Sequence, residues 1–244
     1  MKTDSNNNFR IFAFADPHLS FGQEKPMDVF NNDWKNHHIK ILDACLENVR
    51  NEDYIIIAGD ISWALKFDEA IVDLDWIDSL PGKKILVKGN HDLWWHSITR
   101  LNTLYENIHF LQNDHFMIGE LAICGSRGWL LPGDDGYTED DEKINRRELI
   151  RLKMSLDSGI SAGAKEIICA MHYPPANNPN TNSEFTKLIS NYPVSQVVYG
   201  HLHGSNSFKK GIKGKQDDVL YRLVSVDYID FKPVLIFDSS AEID

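Results

Sequence analysis

Apolar segments of strand length recur along the chain, and helical patterns separate the earlier ones. Eight such segments lie at residues 10–15, 54–58, 84–88, 118–124, 166–171, 196–199, 220–226 and 234–237. Strands that alternate with helices, followed by a strand-rich last third, are typical of an α/β sandwich. The pattern therefore predicts this fold class.

Four helices are predicted between the strands. Apolar stripes define the first two, Ile39, Leu42, Leu46 and Val49 in one and Ile71, Leu74 and Ile77 in the other, which Pro81-Gly82 stops. A third helix follows Ser97 and turns three residues inward, Leu101, Leu104 and Tyr105. A fourth begins at Thr138, a capping residue followed by four acids, and Gly159 can close it.

The composition indicates a globular protein. The chain has 244 residues, 42% of them hydrophobic, and no repeat or linker divides it, so one domain over residues 1–244 is predicted. Its first residues, MKTDSNNN, are hydrophilic and no apolar run approaches the length of a membrane span, so neither secretion nor membrane insertion is expected. Three cysteines, Cys45, Cys124 and Cys169, lie in apolar segments without a CxxC pair, which predicts core residues in a reducing cytoplasm.

The charge of the chain bears on its partners. A formal net charge of −11 argues against a broad basic face that grips long nucleic acids. The main basic run, residues 209–215, is interpreted as a solvated hairpin loop. An extended nucleic acid is therefore not an expected partner.

Five of the predicted strands are followed directly by Asp, Asn or His. These strand ends carry Ala15-Asp16-Pro17-His18, Gly59-Asp60, Gly89-Asn90-His91-Asp92, His172 and Gly200-His201-Leu202-His203. Ligands bind at the carboxyl edge of open α/β sheets, so we expect these side chains to meet there. In the last motif the two histidines can point to one side of a strand, although taken alone this segment is equally compatible with a polar turn. The glycines at 59, 89 and 200 let the backbone turn sharply as it leaves each strand.

Seven of these residues are candidate metal ligands. They are Asp16, His18, Asp60, Asn90, His172, His201 and His203. Their mixed oxygen and nitrogen character suits two ions that share a carboxylate, with manganese, iron and zinc all acceptable, and the lack of thiolates disfavours structural zinc. Two divalent ions with two carboxylates leave a charge of about +2, which attracts anions. Such a site favours hydrolysis of a phosphate ester.

The ordered strand-end motifs resemble those of the calcineurin-like metallophosphoesterase superfamily over most of the chain. The resemblance implies a four-layer αββα sandwich, with two mixed sheets flanked by helices, and a metal-bound hydroxide as nucleophile. It implies one ion held by Asp16, His18, Asp60 and His203 and a second held by Asp60, Asn90, His172 and His201, with Asp60 bridging them. His91 is then the candidate for protonating the leaving group or stabilising the transition state, and Asp92 for orienting its ring.

One departure from the superfamily narrows the expected substrate. After Gly59-Asp60 the chain lacks the Asp-Arg-Gly element of the protein Ser/Thr phosphatases, so the resemblance is closest to small microbial phosphohydrolases. Arg127 is a candidate to bind a substrate phosphate, or else a loop arginine paired with an acid. Four tryptophans near the motifs are candidates for the walls of a substrate site or for core packing, Trp63, Trp94, Trp95 and Trp129.

Other segments near the motifs receive plainer predictions. Residues 19–33 and 130–137 are expected to be mobile segments over the site. Five histidines outside the motifs are expected to be surface or packing residues, namely His37, His38, His96, His109 and His115.

The leading hypothesis is a dinuclear metal hydrolase acting on a small phosphodiester or phosphomonoester, with diesters cleaved at least as well as monoesters. One alternative is a catalytically silent scaffold of the same fold, which the loss of several ligands would mark. Here every ligand is present. Another alternative is a nuclease of the same superfamily, for which a basic groove would be expected.

Overall fold

Two mixed sheets form the centre of the computed structural model, which describes residues 8–29, 32–177 and 182–241. The first sheet consists of β1 (Arg10–Phe14), β2 (Tyr54–Ala58), β3 (Lys83–Val87), β4 (Ile108–Leu111) and β11 (Val234–Asp238). Their order is β11-β1-β2-β3-β4, with β1 to β4 parallel and β11 antiparallel at one edge.

The second sheet has a similar plan. It consists of β5 (His115–Ile118), β6 (Leu121–Ser126), β7 (Glu166–Met171), β8 (Val194–Tyr199), β9 (Gly214–Gln216) and β10 (Val219–Leu223). Their order is β5-β6-β7-β8-β10-β9, in which the four inner strands are parallel and both edge strands antiparallel. In both sheets the parallel strands carry their carboxyl ends to one edge.

Helices cover the outer faces of the sheets. They are α1 (His37–Asn48), α2 (Phe67–Ser79), α3 (Ile98–Leu101), α4 (Glu139–Ser161), α5 (Glu184–Ile189) and α6 (Gly204–Ser207), with short 3-10 turns at Met27–Val29 and Asn32–Trp34. None of the helices in the described part of the chain has the length and apolar character needed to cross a membrane.

Alternate side chains of each strand pack into different layers. In β1, Ile11 belongs to the apolar cluster between the two sheets, whereas Phe12 packs with residues of α1 and α2. In β7, Ile168 belongs to the same inner cluster, whereas Cys169 packs with residues of α4 and α5. The chain therefore forms the predicted four-layer sandwich, helices, sheet, sheet and helices.

The buried face of α1 differs from the predicted apolar stripe. Ile41 and Cys45 are buried, whereas Ile39 and Leu46 are 45% and 63% exposed. Val49 is buried and Leu42 packs against the same apolar cluster, so two of the four predicted stripe residues contribute to the contact. His37 is also buried, with its Nδ1 3.0 Å from the carbonyl oxygen of Trp34 and its Nε2 2.9 Å from that of Pro17, one of which accepts the N–H of the neutral ring.

The start of α4 is as predicted, but its end is not. The hydroxyl of Thr138 accepts a hydrogen bond from the Asp141 amide, and the Asp141 carboxylate accepts one from the Thr138 amide. Gly159 lies inside the helix, which ends at Ser161. A Cβ atom at Gly159 would lie 2.8 Å from the Cys124 sulfur, so this glycine allows close packing on β6 rather than closing the helix.

Three other predictions need correction. The predicted strand at residues 118–124 is a hairpin of β5 and β6 that turns at Gly119, whose φ is 62°. The helix after Ser97 is only one turn long, with Leu101 buried and Leu104 exposed. The strands β4 and β9 were not predicted, since β4 is short and β9 is a polar edge strand.

A buried lysine closes the C-terminal end of α2. Lys84 is 1% exposed, and its ammonium donates to the carbonyl oxygens of Asp78, Leu80 and Gly82, each at 2.9 Å. Carbonyl groups at the end of a helix have no partner within the helix, and a cation there also interacts favourably with the helix dipole. Lys84 thus joins β3 to the end of α2.

The substitution Lys84→Met should lower the free energy of unfolding by about 3 kcal/mol, because it leaves these buried carbonyl groups without a donor. Urea denaturation measures the change. The exposed neighbour Lys83 provides the control, since Lys83→Met removes the same charge without a buried contact. Equal stability of the two variants would contradict the assigned role.

Candidate metal centre

The seven candidate ligands lie together at the carboxyl edge of the two sheets. The ends of β1, β2 and β3 contribute four of them from the first sheet, and the ends of β7 and β8 contribute three from the second. Six form two groups whose ligand atoms lie within 4.8 Å of one another, one of Asp16, His18 and His203 and one of Asp60, His172 and His201. The seventh, Asn90, places its Oδ1 2.8 Å from His172 Nε2.

Asp60, a member of the second group, also faces the first. Its Oδ2 atom is 3.8 Å from His18 Nε2 and 3.4 Å from His172 Nε2. One carboxylate oxygen therefore faces an imidazole of each group, which is the position that a shared ligand occupies.

The contact of His172 with Asn90 shows that the site suits a cation. His172 Nδ1 donates to the carbonyl oxygen of Ala58 at 3.0 Å, so Nε2 carries the lone pair in the neutral ring. Burial lowers the pKa of His172 to about 3, which keeps the ring neutral. Its lone pair then faces the side-chain amide of Asn90 at 2.8 Å, so both groups are placed to ligate one ion. The mixed nitrogen and oxygen donors are those that transition metals accept.

The two carboxylates are deeply buried, and His203, 3.8 Å from Asp16 with its pKa raised to about 9 by the neighbouring carboxylates, is the cation nearest to Asp16. Asp16 and Asp60 are 0% and 2% exposed, and burial raises the pKa of both, that of Asp16 to about 8. Burial lowers the pKa of His201 to about 2, and it likewise lowers that of His18. A divalent ion would hold both acids in the ionised form, because its charge lowers their pKa, and it would bind imidazoles in their neutral form.

Several residues in the loops at this edge have backbone angles in the left-handed region. The φ angles of Asp16, His18, Asp60 and His201 are 61°, 45°, 51° and 71°. Such angles are uncommon outside glycine, although Asp and His tolerate them better than most residues. Neighbouring strand ends fix these conformations, because Asp16 N donates to Gly59 O at 2.9 Å and His18 N to Asp60 O at 3.1 Å.

Two of the motif glycines are required by close approach rather than by a turn. A Cβ atom at Gly89 would lie 2.1 Å from Asp60 Oδ1, and one at Gly200 would lie 2.5 Å from Asp16 Oδ2. Of the three predicted turn glycines, only Gly59 has a positive φ, 92°. A side chain at position 89 or 200 would therefore displace a carboxylate of the site.

His91 stands at the open side of the centre. Its side chain is 44% exposed and its Nε2 lies 4.0 Å from Asp60 Oδ2. The ring of Trp63 stacks on His18 with centroids 4.7 Å apart and lies 4.2 Å from the ring of His91. Trp63 is held in turn by Met27, whose sulfur accepts a hydrogen bond from the indole at 3.1 Å. Trp63, on the loop after β2, thus forms a wall beside His91 that Met27 supports.

Asp92 does not orient the ring of His91. Its Oδ1 accepts the amides of Ile61 and Ser62 and the indole N–H of Trp94, and its Oδ2 accepts the Gly89 amide at 2.7 Å. Among the hydrogen bonds of the described residues, none joins its carboxylate to the His91 ring. Both oxygens are used to fix the loops after β2 and β3 to each other, and Asp92 is a scaffold residue.

The remaining candidate substrate residues have structural contacts. Arg127 Nη2 lies 3.1 Å from Glu148 Oε1, and its guanidinium lies 4.3 Å above the ring of Trp129. Trp94 is fully buried in the core between β4 and the Asp92 loop, so it cannot contact a substrate in this structure. Trp95 is also buried, and its indole donates to Gln112.

Three residues near the centre escaped sequence analysis, Trp34, Tyr173 and Asp227. The rings of Trp34 and Tyr173 lie 5.7 Å from the ring of His203 and 4.0 Å from that of His201. Asp227 Oδ1 accepts from His203 Nδ1 at 3.0 Å, and its Oδ2 accepts from Gly204 N. Asp227 directly follows the predicted strand at residues 220–226, so the rule that found the other strand ends would have found it.

The comparison with protein families gives a match over most of the chain. The family model described as calcineurin-like phosphoesterase matches residues 9–205, a range that includes all five strand-end motifs. The gene 66 protein of Mycobacterium phage L5 is 24% identical over 217 residues, which cover 86% of this chain and 88% of the phage protein.

Solved structures of similar chains include two bacterial proteins. The protein of unknown function AQ665 from Aquifex aeolicus is 20% identical, with a TM-score of 0.49, and the match covers 93% of this chain and 96% of that one. The phosphopantetheinyl hydrolase PptH from Mycobacterium tuberculosis is 16% identical, with a TM-score of 0.49, and the match covers 97% of this chain and 99% of that one.

The hydrogen bond of Asp227 to His203 predicts an effect on metal affinity. Asp227→Asn should weaken binding of a divalent ion by roughly 10–100-fold, because the ring of a ligating histidine loses the carboxylate that orients it. Competition with a fluorescent chelator measures the affinity. The exposed Asp230 provides the control, since Asp230→Asn removes a charge three residues away. If both variants bind the ion equally well, Asp227 does not position His203.

Proposed function

The chain belongs to the calcineurin-like phosphoesterase family, and we propose that it hydrolyses a small phosphodiester or phosphomonoester with two metal ions. As a member of this family it is a metal-dependent phosphoric ester hydrolase. The observation that carries the two-ion proposal is the position of Asp60 Oδ2, which faces an imidazole of each ligand group. The convergence of all seven candidate ligands gives no support to a catalytically silent scaffold.

We assign the ligands from these groups. Asp16, His18 and His203 would hold one ion, Asn90, His172 and His201 the other, and Asp60 would be shared. Manganese, iron and zinc all suit this donor set. When bound, two such ions supply the charge that activates a water molecule and neutralises the phosphoryl group.

The protein itself orients the ligands and supplies a proton. His172 and His203 each donate from Nδ1, to Ala58 O and to Asp227, which turns Nε2 of both rings toward the site. His91 is partly exposed beside Asp60. It is therefore placed to donate a proton to the leaving group of a substrate that enters from solvent. Trp63 packs against His91 and limits its motion.

The proposed substrate is small, with diesters cleaved at least as well as monoesters. The position that carries an arginine in protein phosphatases is part of Ile61-Ser62-Trp63-Ala64 here. A dianionic monoester therefore lacks that clamp, whereas a diester with a flat group can lie against the indole of Trp63. An acidic chain of net charge −11 also repels acidic phosphoproteins.

We also propose that the chain acts as one domain in a reducing compartment, the cytoplasm. The three cysteines are unpaired and fully buried, which is compatible with a compartment that forms no disulfides.

One experiment tests the metal content and the ester preference together. Protein stripped with a chelator and reloaded with excess Mn²⁺ should contain two ions per chain by elemental analysis. It should cleave bis-p-nitrophenyl phosphate with a kcat/KM equal to or above that for p-nitrophenyl phosphate. Asp60→Asn should lower both metal content and turnover, because it removes charge from both ion sites, whereas Asp68→Asn on the exposed face of α2 serves as control.

Three results would reject parts of this proposal. One ion or fewer per chain would reject the dinuclear centre. Full occupancy and turnover in Asp60→Asn would reject the shared ligand. A clear preference for the monoester would reject the assigned ester type.

The proposed acid role of His91 makes a separate prediction. His91→Ala should keep the metal content but lower turnover on the order of 10²-fold for esters with poor leaving groups. The loss should shrink for p-nitrophenolate, which leaves without protonation. Rates over a series of leaving groups, with metal content measured in parallel, check both points. Loss of metal with an unchanged dependence on leaving group would make His91 a ligand instead.

A further inference from the structure

A second polar cavity opens at the same edge of the sandwich, next to the metal centre. Its volume is about 230 Å³, and it lies at the ends of β3, β4 and β6 beside α4. Four charged residues contribute to its lining, Lys88, Arg127, Glu148 and Arg151. The proposed chemistry at the metal centre uses none of them, although the sequence made Arg127 a candidate for binding a substrate phosphate.

The charges of this cavity are unbalanced. Arg127 Nη2 and Arg151 Nη1 lie 3.1 and 2.7 Å from the same oxygen of Glu148, which is 1% exposed. In the described part of the chain, no carboxylate lies within 4.0 Å of the Lys88 ammonium. Three cations and one carboxylate leave an excess of two positive charges, in a chain whose net charge is −11. Cations are crowded here at an electrostatic cost that a bound anion would remove.

One donor of the cavity also lacks a partner. Arg127 Nε is buried, and no acceptor within the described residues satisfies it. Buried donors are nearly always hydrogen-bonded in native structures, so an unsatisfied guanidinium N–H in a polar cavity indicates a missing acceptor. Phosphate oxygens are strong acceptors and match the fixed geometry of guanidinium donors.

The loops that line the cavity also carry the metal ligands. Lys88 is two residues before Asn90 on the loop that leaves β3. The carbonyl oxygen of Arg127 accepts the amides of His172 and Tyr173 at 3.2 and 2.9 Å. The cavity and the metal centre are therefore built on the same two loops.

We propose that this cavity binds a second phosphate group of the substrate whose phosphoester is cleaved at the metal centre. The inference rests on the proposed function and deepens it, since it makes the preferred substrate a small molecule with two phosphate groups. A free phosphate ion shares the same chemistry, and the two sources are separated by the experiments below.

Direct binding is measured on metal-free protein, so that the result does not depend on catalysis. Inorganic phosphate is titrated against the wild type by calorimetry, and Lys88→Gln should weaken its binding by roughly tenfold or more. Lys88 is the first choice of variant because its replacement leaves the ion pairs of Glu148 intact. Arg146→Gln is the matched control. Arg146 lies on α4, the helix of Glu148 and Arg151, but its side chain is 74% exposed and pairs with Glu142 outside the cavity.

The binding data decide whether an anion site exists. Phosphate binding that Lys88→Gln weakens and Arg146→Gln leaves unchanged supports it. Absence of binding to the wild type, or equal binding by both variants, overturns it. Arg151→Met gives a second test, and thermal unfolding of each variant shows that the binding loss does not come from loss of the fold.

Kinetics separate a substrate phosphate from a free ion. With manganese-loaded enzyme, a nucleoside 3′,5′-bisphosphate should show a higher kcat/KM than the corresponding 5′-monophosphate, and Lys88→Gln should remove most of this advantage. If the bisphosphate has no advantage while phosphate still binds through Lys88, the cavity takes a free ion and the substrate proposal is overturned. If phosphate binds through Lys88 but no ester is cleaved, the proposed function fails and the anion site stands.

Discussion

The buried carboxylate of Asp60 is the contact on which the arrangement of the site depends. Its Oδ1 accepts the amide of His91 at 2.8 Å, and its Oδ2 faces His172 of the other sheet at 3.4 Å. An unpaired charge in so buried a place would cost several kcal/mol, so the residues around it must supply donors or a cation. The loops after β2, β3 and β7 therefore meet at this carboxylate, and the two sheets must hold those loops in register.

The sandwich is stiff enough to hold such loops because its central strands are apolar on both sides. Ile55, Ile56 and Ile57 of β2 are all fully buried, with alternate residues packed against helices and against the other sheet. Several residues at the strand ends have a left-handed backbone conformation, and each such conformation costs on the order of 1 kcal/mol. Packing of the four layers offsets this strain, and the strained residues are those that the metal proposal uses, among them Asp16 and His201.

Sequence patterns found the strand ends but not the contacts made there. The motifs that follow β1 and β8 could be recognised because polar residues directly follow apolar strands, a local signal. The role of Asp92 could not be found in this way, because four donors from two loops decide it. The buried face of α1 was predicted only in part, because Ala44 and Cys45 are buried whereas Ile39 and Leu46 are exposed. Residue types thus indicated which chemistry is present, whereas packing determined which atoms meet.

The distribution of charge explains how an acidic protein can act on an anionic substrate. With a net charge of −11, the chain repels large polyanions at long range, although salt at physiological strength screens this repulsion beyond about 8 Å. At the carboxyl edge the sign is reversed, since the cavity of Lys88 and Arg151 has an excess of positive charge, and bound metal ions would add more beside it. Charges in partly buried clefts are screened less than those on the surface, so the attraction acts mainly on groups that enter the cleft. The proposed substrate, a small molecule with two anionic groups, would satisfy both sites, whereas a phosphoprotein or a nucleic acid would first bring its own negative charges against the acidic surface.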